Sequence, residues 1–166
     1  MDGLDIRESA EKTLSFMSDR YSSYERWNDL HERIANVLSL SKYDDIIDIG
    51  DFGRGWVAEE ALAMALYACL RFQGNPVKAI YFAVNHGGDS DSVGSIAGNI
   101  LGAFYGYRYL SNAIDFSKLE RTDVIRCIAR DLADIGRSEY ITNRTYIYGE
   151  IPDCISFMDG DWKSSR

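Results

Sequence analysis

The sequence is poor in proline, cysteine and histidine. Pro76 and Pro152 are the two prolines in 166 residues, against 14 glycines. So little proline, in a chain rich in alanine, leucine and isoleucine, leaves room for long helices and makes individual glycines worth explaining. The three cysteines, Cys69, Cys127 and Cys154, are far apart and none belongs to a CxxC pair. An odd, scattered set argues against a disulfide framework or a zinc knuckle and points to a reducing compartment, so the expected location is the cytoplasm. No run of 18 apolar residues could span a membrane, and Met1–Glu8 has no apolar stretch of the signal-peptide kind. Lys/Arg clusters are also missing. With a formal net charge of −8 and a pI of about 4.7, a nucleic-acid backbone is not an expected partner. His31 and His86 are the two histidines, and the chain contains no H-E-x-x-H, P-loop or G-x-S-x-G motif.

What remains is the composition of a globular protein large enough to bury a core without staples. We expect an all-α chain forming a single domain over 1–166, with an irregular tail over 140–166. Ser22 and Glu25 have capping-box spacing, and Trp27, Leu30, Ile34, Val37 and Leu38 recur behind them at helical intervals to about Ser39. A weaker helix is expected over Ser9–Met17. A strong one is expected from Val57 to Phe72, with Ala58, Ala61, Leu62, Ala65, Leu66, Cys69 and Leu70 inward and Glu59 and Glu60 in the first turn, where negative charge suits the dipole. Gly74-Asn75-Pro76 ends it, and Pro76 suits the first position of the next helix. Ser117 and Glu120 offer another capping box, ahead of a helix carrying Val124, Ile125, Ile128, Leu132 and Ile135 that Gly136 should stop. Tyr146-Ile147-Tyr148 fits a short strand or an irregular arm.

Two segments depart from helical pattern. Asp44–Gly55 is rich in aspartate and glycine, residues that favour caps and turns, and is expected to be a shaped loop. Asn85–Gly106 begins with a Gly-Gly turn, continues through Asp89-Ser90-Asp91-Ser92, and enters a helix in which Gly94, Gly98, Gly102 and Gly106 recur at every fourth position. Each such glycine costs about 1 kcal/mol of helix propensity relative to alanine. Tight helix–helix packing is the expected compensation for Gly98, Gly102 and Gly106. One cap residue would satisfy the helix start, and two carboxylates flanked by two hydroxyls exceed that need. Crowded hard-oxygen groups suit a divalent cation, Mg²⁺ or Ca²⁺ rather than zinc, while the same helix start also suits an anion. His86 either contacts a ligand or hydrogen-bonds the turn. His31 is expected to be a surface or packing residue.

The stretch His86-Gly87-Gly88-Asp89-Ser90-Asp91-Ser92-Val93-Gly94-Ser95-Ile96-Ala97-Gly98-Asn99-Ile100-Leu101-Gly102-Ala103 resembles the C-terminal signature of the ADP-ribosylglycohydrolase family, which includes the dinitrogenase-reductase-activating glycohydrolases. Gly53-Arg54-Gly55-Trp56-Val57-Ala58-Glu59-Glu60-Ala61-Leu62 is similar to the family's stretch ahead of that signature. The resemblance implies a compact orthogonal all-α domain with a pair of Mg²⁺ ions in a central cleft. It implies removal of ADP-ribose from a protein side chain or a small molecule. Asp89, Asp91 and Ser92 match the family's metal-binding groups, and Asp89 and Asp91 its catalytic acids. His86, Gly87, Gly88, Phe52, Gly53, Gly55 and Trp56 fall where the family shapes the substrate cleft. Phe52 or Trp56 either stacks on the substrate or packs in the core.

The resemblance runs from about Trp27 to Arg108 and is to the later half of the family pattern. Full-length members carry an earlier Gly-Asp helix start and a Thr-Asp-Asp-Thr motif that supply further ligands. Neither occurs here, since Asp44-Asp45 is flanked by Tyr43 and Ile46. A truncated domain is therefore expected, with an incomplete Mg²⁺ site and with a partner chain or self-association covering the missing half. The alternative function is that of a non-catalytic remnant that binds a partner protein, or ADP-ribose weakly.

Overall fold

The structure, a computed structural model, describes residues 5–43 and 45–137. Its regular elements are α-helices and two short 3-10 turns, with no strand among the described residues, so the all-α expectation holds. The chain divides into two compact units, Met1–Ile114 and Asp115–Arg166. Tyr146–Tyr148, Cys154 and the expected irregular tail lie outside the described residues.

The first unit is built around α3, Ala58–Arg71. Every residue from Ala63 to Cys69 is buried, so α3 has almost no solvent face. A helix apolar on all sides must lie in a core, and α3 touches α1 (Ile6–Tyr21), α2 (Trp27–Leu40), α4 (Pro76–Val84), α5 (Ser90–Ala113) and a 3-10 turn at Ile49–Phe52. Tyr67, Met64, Leu101, Val37, Val93 and Cys69 are fully buried. Each of the large ones contributes about 1.5–3 kcal/mol through the apolar area it removes from water. The Tyr67 ring packs at a tilt against both Phe52 and Phe82, and its hydroxyl accepts the Ile47 N–H at 2.9 Å. That bond ties the loop ahead of α3 to the core.

Local signals explain most boundaries. Asn75 caps α4 by accepting the Lys78 N–H at 3.0 Å, with Pro76 at the first turn as expected. α1 is longer than the Ser9–Met17 pattern, because Asp5 caps it by accepting the Glu8 N–H at 2.7 Å. The Ser22/Glu25 capping box does not form. Ser22 ends α1, and α2 starts at Trp27 behind Arg26, which makes no side-chain cap bond. The far end of α2 is closed from another helix, since Arg7 donates to the Leu38 carbonyl and the Ser41 hydroxyl, both at 2.7 Å. A cation on terminal carbonyls also suits the helix dipole.

The glycine series needs correction. Only Gly94 meets a neighbour, as a Cβ there would lie 2.6 Å from Val84 Cγ1 of α4. Among the described residues, a Cβ added at Gly98 or Gly102 would meet no neighbouring atom within 4 Å. Gly106, with φ of 73°, kinks α5 into two helical segments. Helix packing therefore accounts for Gly94 and, among the described residues, for none of the three glycines expected to need it.

In the described part of the second unit, Asp115 caps a 3-10 turn at Phe116–Lys118, accepting the Ser117 N–H at 3.1 Å. That use of Ser117 replaces the expected Ser117/Glu120 box. α6 spans Thr122–Arg137 and so runs through Gly136, the expected stop. Ile125 and Leu132 on it are exposed.

Two outcomes follow for stability. Gly98→Ala should raise it by about 0.5–1 kcal/mol in urea unfolding, because helix propensity improves and nothing is displaced; a loss would mean that another surface packs there. Burial pushes the Cys69 thiol from 9.0 up to about 12. In the native chain it should resist iodoacetamide at pH 8.5, as read by peptide mapping. The unfolded thiol ionises first as pH rises, so its contribution to stability is complete below about pH 9 and is lost towards pH 12. Unfolding curves should show this alkaline decline flattened in Cys69→Ala.

Candidate functional site

The shaped loop expected before α3 exists, and it is organised by Glu60, the third residue of α3. The Glu60 carboxylate accepts the Arg54 N–H at 3.0 Å and the Gly55 N–H at 3.2 Å through Oε2. Its Oε1 lies 3.8 Å from Arg33 Nη2 of α2, and Arg33 Nη1 donates to the Phe52 carbonyl at 3.2 Å. Gly53 makes room for this wrap. Its φ is 133°, and a Cβ there would fall 2.4 Å from Glu60 Cδ. Sequence reasoning assigned Glu60 to the helix dipole. The signal that could have revealed more is an acid at the third helical position behind a glycine-rich entry, the place from which side chains reach back to loop amides. Glu59, one residue earlier, pairs instead with Arg26.

The loop in turn meets the Gly-Gly turn. The Asp89 N–H donates to the Arg54 carbonyl at 2.8 Å. Gly88 is required there, since its missing Cβ would sit 2.0 Å from the Arg54 oxygen. Gly55 packs on the same corner, where an added Cβ would lie 3.0 Å from Val93 Cγ2. On the other side, Arg54 Nη1 donates to the Gly87 carbonyl at 3.4 Å. His86 takes the turn-bonding alternative, with Nδ1 accepting the Gly88 N–H at 3.1 Å. That acceptor role places the proton of the neutral ring on Nε2, which is shielded and has no partner among the described residues.

Between loop and turn lies a groove of about 340 Å³, lined by Asp48, Asp51, Gly53 and Arg54 on one side and by Asn85, His86, Gly87 and Gly88 on the other. The size is at the lower end of ligand pockets. The structure thus brings His86, Gly87, Gly88 and Gly53 to one place, and adds Arg54, Asp48, Asp51 and Asn85, which the motifs did not single out. Phe52 leaves the set: it is buried against Tyr67, with ring centroids 4.8 Å apart, so the core-packing alternative applies. Trp56 is 72% exposed and free of the core.

Asp89, Asp91 and Ser92 follow directly at the start of α5. Asp89 occupies the cap position, yet its side chain makes no capping bond of ordinary geometry. Hydrogen bonding with Asp91 first, then with Ser92, holds its carboxyl below the usual carboxylate range. It is therefore ionised at neutral pH. Two carboxylates and a hydroxyl match the hard-oxygen preference of Mg²⁺, but three donors fill at most half of an octahedral shell. No group of three or more His, Cys, Asp or Glu side chains converges among the described residues.

The close fit of turn to loop predicts the effect of one methyl group. Gly88→Ala should lower stability by about 1–3 kcal/mol, because two backbone segments must part to admit the Cβ. Amide exchange should show the Asp89 N–H losing protection in the same variant.

Comparison with known proteins agrees with the sequence motifs. The ADP-ribosylglycohydrolase family model matches residues 1–141, a longer stretch than the one carrying the recognisable motifs. No curated protein and no solved structure matches the chain. With a match over most of its length, the chain belongs to the ADP-ribosylglycohydrolase family.

Proposed function

We propose that the chain supplies the Asp89–Ser92 part of an Mg²⁺-dependent ADP-ribosylglycohydrolase centre, with the adjoining groove receiving ADP-ribose from a modified protein or small molecule. The observation that carries this reading is the join of a two-carboxylate helix start to a polar groove through one hydrogen bond, from Asp89 N–H to the Arg54 carbonyl.

Hydrolysis breaks the bond from the anomeric carbon to its leaving nitrogen or oxygen, bonds that carbon to a water oxygen, and returns a proton to the leaving group. An ionised Asp89 can accept a hydrogen bond from the attacking water, which a protonated one would do poorly. Asp91 and Ser92 would share the cation with Asp89, and Mg²⁺ when bound would neutralise oxygen charge and orient the ribose. The Arg54 guanidinium supplies positive charge beside the Gly87 carbonyl for the diphosphate. Gly87 and Gly88 present backbone where no side chain intervenes. Trp56 offers an exposed ring for stacking. The remaining donors of the shell would come from waters and from groups beyond the described residues, on a partner chain or a segment resembling Thr-Asp-Asp-Thr.

A second reading, an ADP-ribose-binding module without turnover, is favoured by the small number of converging acids among the described residues. Calorimetry and an arginine-release assay separate the two. The chain alone should bind ADP-ribose in an Mg²⁺-dependent way, and Asp89→Asn or Asp91→Asn should weaken that binding by roughly 10-fold or more. Binding that ignores both Mg²⁺ and these variants would sink the site. Hydrolysis of ADP-ribosyl-arginine by the chain alone should be slight. Robust turnover, lost in Asp89→Asn, would show that the chain suffices without a partner.

A further inference from the structure

The contacts of Glu60 carry a consequence for the site that its place on α3 does not suggest. We infer that Glu60 is a positioning residue for Asp89, acting through the backbone of Arg54; this rests on the reading of Asp89–Ser92 as the site. The path is short and continuous. Glu60 Oε2 accepts the N–H of Arg54 at 3.0 Å, and the carbonyl of that same residue accepts the Asp89 N–H at 2.8 Å. Arg54 is therefore fixed at both ends of its backbone, with Glu60 on one and Asp89 on the other. The second bond to Oε2, from the Gly55 N–H at 3.2 Å, stops the loop from pivoting about a single contact.

The arrangement is built for an acceptor oxygen at the reach of Glu60. Gly53 wraps so closely that any side chain there would strike Glu60 Cδ, at 2.4 Å. Arg33 Nη2 lies 3.8 Å from the other oxygen. Charged acceptors make stronger bonds to amides than neutral ones. Movement of the Glu60 carboxylate would release Arg54, and with it the Asp89 amide. The Arg54 side chain, which reaches the Gly87 carbonyl at 3.4 Å, would lose its seat on the groove at the same time. Glu59 provides the contrast: it is adjacent, also acidic and also in the first turn, but its pairing is with Arg26.

The test uses the full chain, with amide exchange read by NMR and Mg²⁺-dependent ADP-ribose binding read by calorimetry. In Glu60→Ala the Asp89 amide should exchange at least about 10-fold faster and ADP-ribose should bind about 10-fold more weakly, while amides of the α3 and α5 cores keep their protection. Glu60→Gln should recover most of both, because its amide oxygen can accept the same two N–H groups. Glu59→Ala should change neither. If Glu60→Ala does not fold, Glu60→Asp serves: it keeps the charge and withdraws it by one methylene, and should release Asp89 equally. Wild-type exchange at Asp89 in Glu60→Ala or Glu60→Asp overturns the inference, as does an equal effect of Glu59→Ala. If the wild-type chain binds no ADP-ribose, the proposed function fails, and the exchange measurement still decides the role of Glu60.

Discussion

The splice between the Glu60-bound loop and the Gly88–Asp89 turn is the contact on which the candidate site depends. Asp48–Arg54, which contains the 3-10 turn Ile49–Phe52, and Asn85–Gly88 lie far apart in sequence, and neither belongs to an α-helix that would fix it in space. Each would be free to drift if it were not tied down. Glu60 ties the first to the buried helix α3, and the Asp89 N–H ties the second to the first. The groove is the space between two loops that share this seam. Its polar lining is possible because the seam satisfies the backbone groups that the loops would otherwise leave unpaired.

The core makes such a seam affordable to maintain. α3 is buried nearly all round, with alanines that let α2, α4 and α5 come close. Its first turn therefore has a fixed position, and a carboxylate placed there is fixed as well. The aromatic set Phe52, Tyr67 and Phe82 carries the same rigidity outwards, since Phe52 ends the 3-10 turn while its ring lies in the core. A residue expected as a possible stacking platform serves instead as the support of the loop that bears Gly53 and Arg54.

Much of this was legible in the sequence, and the misses have a common cause. α3, α4 and the start of α5 followed from apolar spacing, Pro76 and the Asp-Ser-Asp-Ser run, which are local signals with local effects. Ser22/Glu25 and Ser117/Glu120 have correct spacing but do not cap, because Asp115 captures Ser117 and the chain at Ser22 is still completing α1. Spacing alone does not say which of two neighbouring residues wins a bond. The Arg7 bonds to Leu38 and Ser41, and the Glu60 bonds to Arg54 and Gly55, join separate elements and leave no periodic trace. The glycines were legible as unusual but not by purpose, since close approach, a kink and open space look alike in a string of letters.

That division of the glycines bears on function. Gly53, Gly55 and Gly88 are held by steric need at the seam, where an added atom would meet a carboxylate, Val93 or a backbone oxygen. Gly98 and Gly102 meet no neighbour among the described residues, although they continue the same spacing along α5. A cost in helix propensity without a neighbour within the described fold is unbalanced as it stands. The seam glycines are thus accounted for by the chain's own fold, and the α5 glycines are not. The three oxygen donors at Asp89, Asp91 and Ser92 present the same imbalance, being more than a helix cap requires and fewer than a hexacoordinate cation takes. Both surpluses fall on α5, one at its start and one along its length, and so the helix that bears the family signature is also the one whose composition its own surroundings explain least.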